Sequence, residues 1–108
     1  MRLEPGGTIH YLHMLANAYF HLDRFETAAA LFRERILLVP DTDMSRSLLV
    51  SALGHLGRAD EAQQVRAELM TINPKYDLGA HLARSPLMAS GYAERTFRGW
   101  HLAGLPPS

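Results

Sequence analysis

Cysteine is absent from the 108 residues, which excludes disulfides and thiolate metal centres and leaves the redox compartment unread. No apolar run approaches the roughly 20 residues that span a bilayer. The opening MRLEPGG has no apolar core of a secretory signal. A soluble, cytoplasmic protein with no membrane partner is the expectation. Net charge is missing too: eleven basic and eleven acidic side chains cancel, so the chain has no bulk electrostatic reason to seek nucleic acid. Gly6-Gly7 has neither the spacing nor the preceding strand of a phosphate loop. Ser45, Ser47, Ser51, Ser85 and Ser90 lack a nucleophile-elbow context. His10 and His13 share a helix face, but no carboxylate follows at ligand spacing. No catalytic residue, metal or cofactor is expected.

What is present is repetition. HLDRFETAA, which starts at His21, returns as HLGRADEAQ, which starts at His55. The same shift pairs Leu15 with Leu49, Ala18 with Ala52, Arg24 with Arg58, Ala28 with Ala62, Glu34 with Glu68, Pro40 with Pro74 and Asp43 with Asp77. A fixed period of this size marks stacked units that cannot each bury an apolar face alone. Ile9, Leu12, Leu15, Ala16, Tyr19 and Leu22 follow helical spacing, and so do Phe25, Ala28, Ala29, Phe32, Ile36 and Val39. Pro40 cannot continue the second helix, and Asp41 or Thr42 can cap the next. The second copy predicts helices from about Asp43 to Leu56 and Asp60 to Ile72, with a turn at Gly57 and a stop at Asn73-Pro74.

These residues resemble the tetratricopeptide repeat, a 34-residue helix–turn–helix. Copy one (9–42) matches through Leu12, Leu15-Ala16, Tyr19, Phe25, Ala28, Phe32 and Pro40, and copy two (43–76) through Leu49, Leu53, Gly57, Ala62 and Pro74. Departures fall at Arg46, Ala59 and Arg66, where the family prefers large apolar residues. They fall also at Asp23, where a turn glycine is usual, and at Arg35, where a small residue is usual. The resemblance implies an all-α fold, a tetratricopeptide-type superhelix of two helix–turn–helix repeats plus C-terminal capping helices. Ala28 and Ala62 would let paired helices approach closely, and Tyr19, Phe25 and Phe32 would fill the space between pairs.

Both flanks extend this picture. RLEP before copy one looks like LLVP and TINP, the ends of the two repeats, so residues 1–8 are read as the tail of a preceding repeat or a linker. The chain is then either a piece of a longer protein or a short one completed by self-association. Residues 77–108 form the cap: a short helix from Asp77 through Ala83, a break at Ser85-Pro86, and a helix from about Gly91 to Ala103 with Tyr92, Phe97 and Trp100 on its apolar side. YAERTFRGWHLAGLP, through Tyr92, Glu94, Arg95, Gly99, Ala103, Gly104, Leu105 and Pro106, resembles the end of bacterial tetratricopeptide arrays. Those arrays follow a nucleotide cyclase or winged-helix regulator domain. Trp100 and His101 depart from that pattern.

The resemblance implies a binding surface on the first helices: His10, His13, Asn17, Phe20 and His21 from copy one, with Met44, Ser47, Ser51, Gly54 and His55 from copy two. Asn17 stands where chaperone-binding members keep an asparagine, but His13, Met44 and Ser47 replace the cations that a peptide carboxylate needs. Phe20 has a second reading as cover for a neighbouring repeat. Two expectations remain: a scaffold for a protein partner of unknown identity, or the regulatory or dimerisation segment of a signalling protein. Ile9, Tyr11, Leu12 and Leu15 are the expected self-association face, buried in a symmetric dimer.

Overall fold

The computed structural model describes residues 5–83 and 92–105, with side chains at 11–80 and 94–105. All of its regular structure is helical: α1 (Pro5–His21), α2 (Phe25–Leu38), α3 (Asp43–His55), α4 (Ala59–Ile72), α5 (Leu78–Ala83) and α6 (Tyr92–Leu102). Helices α1 and α2 form one hairpin, α3 and α4 a second; α2 packs on α3, and α6 lies along α3.

The sequence period is also a structural one. Phe25–Leu38 and Ala59–Ile72 are the same helix displaced by one period. Each hairpin turn is a Schellman motif. The Arg24 amide donates to the Tyr19 carbonyl and the Arg58 amide to that of Leu53, both at 2.9 Å. The residue that closes each turn is left-handed: Gly57 at φ 77° and, at its period mate, Asp23 at φ 61°. Asp23 thus fills the usual glycine position with a residue type that tolerates this conformation. The far ends match too, with the Val39 amide bonded to Arg35 and the Asn73 amide to Leu69, both at 2.8 Å.

Pro40 and Pro74 lie beyond the helix ends, as their missing N–H requires. Thr42 caps α3, its hydroxyl accepting from the Ser45 amide at 3.3 Å, and Asp77 accepts from the Ala80 amide at 3.2 Å at the start of α5. Helix α1 begins at Pro5, ahead of the start predicted at Ile9. The described part of the 1–8 segment is therefore the first turn of α1, with proline at the first helical position where it costs no hydrogen bond.

Helix α3 is the centre of the molecule. Every residue from Ser45 to Gly54 is buried, because α2, α4 and α6 enclose it. Leu48, Leu49, Ala52 and Leu53 join Ala16, Phe20, Ala28, Phe32, Ala62, Val65 and Leu69 in one core. Two of the departures become intelligible. Arg46 is buried, bonded to Glu68 at 3.3 Å and to the Thr42 carbonyl at 2.9 Å, so its apolar stem is packed while its head group keeps hydrogen-bond partners. Arg35 donates to Ser45 Oγ at 2.6 Å and Thr42 Oγ1 at 3.1 Å, tying α2 to the start of α3; burial pulls its guanidinium below its ordinary value. The outer side of α4 differs from that of α2: Ala29 and Phe32 are buried, but their period mates are exposed Gln63 and half-buried Arg66.

Ala28 and Ala62 are fully buried. Ala28→Leu therefore overpacks the first hairpin and lowers unfolding free energy by about 1–3 kcal/mol in a urea titration. The same change at exposed Ala30 leaves it within about 0.5 kcal/mol.

Candidate functional site

The predicted partner-binding residues of the first helices are found in two different states. On α3, Ser47, Ser51, Gly54 and His55 recur at helical spacing and form a single stripe. That stripe is covered by α6. Ser51 Oγ donates to the Thr96 carbonyl at 3.0 Å, with the Arg95 carbonyl at 3.4 Å. The His55 Nε2–H donates to the Arg95 carbonyl at 2.8 Å. At the other end the Trp100 indole N–H donates to the Ser47 carbonyl at 2.9 Å. Gln63 of α4 reaches the Ala103 carbonyl at 3.2 Å.

The two helices meet backbone to backbone. A Cβ on Gly54 would run into the Gly99 carbonyl, and a Cβ on Gly99 would run into Ser51. Glycine is needed here for space, since neither residue has a positive φ. Thr96, Gly99, Trp100 and Ala103 form the α6 side of the seam, all buried. Tyr76 flanks it, its ring 6.3 Å from the Trp100 ring.

At the open end of the seam a second cluster forms. His55 stacks on Phe25 at 4.1 Å with the rings 4° from parallel, and Phe20 meets both rings edge-on. Arg95 pairs with Asp23 at 2.7 Å. Phe20 is fully buried, so it serves the packing between the hairpins. Burial first, then the nearby Arg95 guanidinium, holds the His21 imidazole below its ordinary value.

The α1 part of the face is not under α6. His13, Asn17 and His21 are half-buried along it, and the Asn17 amide donates to the His13 carbonyl at 2.9 Å. Asn17 Oδ1 has no hydrogen-bond partner among the described residues. Met44 is exposed at the start of α3, apart from the stripe. The side chains of His10 and Ile9 lie outside the described residues, and so do Ser85, Ser90 and the Tyr92 side chain.

Of the residues expected on a self-association face, Tyr11 is exposed. Leu12 is buried and Leu15 half-buried. An exposed apolar stripe runs through Tyr11, Met14 and Ala18 of α1 and Leu22 just beyond it, with Tyr11 at 54%, Met14 at 58% and Leu22 at 67% exposure. Of their period mates, Ser45, Leu48 and Ala52 are fully buried in the second copy and Leu56 is half-buried.

Among the described residues no group of three metal-ligating side chains comes together, and no helix is long and apolar enough to cross a membrane. Comparison with family models, with curated proteins and with solved structures finds no match.

The His21 environment gives a pH dependence with a defined sign. The unfolded imidazole takes up a proton as pH falls through about 6.5, while the folded one resists until lower pH. The stabilising contribution is therefore whole above about pH 6.5 and is lost as pH falls through the lower folded value. In urea titrations from about pH 7.5 to 5, the wild type is expected to lose its stability advantage over His21→Gln.

Proposed function

We propose that the chain is a tetratricopeptide-type protein–protein interaction module, non-catalytic in itself, whose first helices form the partner-accepting side. The observation that carries this is the period itself. Two hairpins close with the same turn, the same hydrogen bonds and closely similar cap angles, one period apart. Stacked repeats create extended concave surfaces that such proteins use for binding. Here α2 and α4 hold the solvated ion pairs Arg33–Glu61 and Arg58–Glu61 at their surface, whereas α1 contains no aspartate, glutamate, lysine or arginine. The reading accords with the neutral, histidine-bearing face of His13, Asn17 and His21 beside the α6 seam.

Selection of displayed helical peptides against the immobilised chain tests it. Selected ligands are expected to slow amide exchange in α1 and α3. Ligands that protect only α2 and α4, or none selected at all, would sink the proposal.

A second reading, the dimerisation segment of a cyclase-linked or regulator-linked protein, draws on the α1 stripe. What α2 covers on α3 is left open on α1. The stripe carries no charge, so two copies can meet across it without repulsion, and a twofold axis lets one patch serve both. Sedimentation equilibrium at tens of micromolar is expected to show a monomer–dimer equilibrium that Met14→Glu shifts to monomer. A strict monomer over that range would remove this reading.

A further inference from the structure

The seam between α3 and α6 has a composition that differs from the rest of the core. Elsewhere α3 offers Leu48, Leu49, Ala52 and Leu53. Toward α6 it offers two serines, a glycine and a histidine. Its hydrogen bonds to α6 from Ser51, His55 and Trp100 run between helices and involve main-chain carbonyls on one side or the other. Among the described residues, α6 packs most extensively on α3; Arg95 also reaches Asp23 in the first turn, Ala103 accepts from Gln63 of α4, and Trp100 lies against Tyr76.

A face of this kind is suited to exchange. When α6 leaves, the α3 side returns two hydroxyls, an imidazole and a glycine to water, all of which water can solvate. Surfaces that open and close share this mixed character, while permanent interfaces resemble a bisected core. The apolar anchor sits on the departing helix, as Trp100.

Resting on the reading of the chain as an interaction module, we propose that the Ser47–Ser51–Gly54–His55 face of α3 is a helix-binding seat. Its partner is a helix with the pattern Arg-Thr-x-x-Gly-Trp-x-x-Ala, and α6 holds that seat in cis. Each element of the pattern has a counterpart. Glycine admits the helix axis to Gly54, because any Cβ there meets Ser51. Tryptophan follows it, fills the space beside Tyr76 and donates to Ser47. Arginine, one helical turn before the glycine, reaches Asp23 at the end of the seam. Ser51 and His55 grip the carbonyls of the arginine and threonine, which any helix presents, so they add hold without adding selectivity. Glycine and tryptophan supply the selectivity.

The test uses the full chain and a fluorescein-labelled peptide of residues 92–105. With α6 seated, the wild-type chain binds the peptide in proportion to the fraction of molecules whose seat is open. Gly99→Ala in the full chain expels α6 without altering the seat, and is expected to bind the wild-type peptide at least about tenfold more tightly, as an open fraction of one tenth requires. A Gly99→Ala peptide is expected to bind neither chain, and Gly54→Ala in the chain to abolish binding. If circular dichroism shows that Gly99→Ala does not fold, Arg95→Ala takes its place, since it releases the Asp23 contact and adds no atom to the seam. Equal affinity of the peptide for wild-type and released chains, equal binding of the Gly99→Ala peptide, or no binding to a folded released chain would each overturn the proposal. Displayed ligands that protect α1 and α3 but lack the glycine–tryptophan pair, and are not displaced by the 92–105 peptide, would overturn this inference while leaving the interaction module standing.

Discussion

The enclosure of α3 is the constraint on which the rest of the structure depends. A single helix must satisfy three neighbours of different chemistry. Toward its own hairpin partner and toward the preceding hairpin it supplies leucine and alanine, which convert burial directly into stability. Toward α6 it supplies small polar groups, which give up burial energy for a close, hydrogen-bonded crossing. An unbroken buried run from Ser45 to Gly54 leaves that stretch no solvated face. Arg46 illustrates the pressure: a cation in that shell persists because Glu68 and the Thr42 carbonyl both accept from it.

The fold is legible in the sequence because its signals are local and doubled. A turn residue, a proline stop and an alanine at the hairpin crossing each mean little alone. Their return one period later places four helices to within about a turn of their ends. The short α5 follows from Asp77 as a cap, and the last helix from Gly104 at its C-terminus, where φ is 76°.

The docking of α6 is not legible from the same signals. In sequence, Ser47, Ser51, Gly54 and His55 look like an open groove because small polar residues suit solvent as well as they suit a close helix crossing. The distinguishing sign is present but lies far along the chain, in Thr96, Gly99 and Ala103, which repeat small size at the same helical spacing. Two small-residue stripes on separate helices describe one crossing only when taken together. Trp100 belongs to the apolar side of its helix, as its spacing predicts, yet hydropathy alone says nothing of which neighbour receives it. Leu12 shows the opposite difficulty: apolar spacing identifies the helix, but not which of two adjacent stripes, Leu12 and Ala16 or Tyr11 and Met14, faces inward.

The polar outer side of α4 gives the stack a direction. For one copy to continue another head to tail, α4 of the first would have to lie on α1 of the second as α2 lies on α3. Gln63 and Arg66 occupy the positions where α2 presents Ala29 and Phe32, so that contact would desolvate an amide and a guanidinium against tyrosine, methionine and leucine. Head-to-tail continuation is thus disfavoured at the α4 end. Association across the α1 stripe, as proposed above, would be by a rotation that pairs like faces and would close on itself without growing into a filament. At high concentration its solutions should then thicken no faster than those of a particle of fixed size, although the chain displays an apolar stripe along most of one helix.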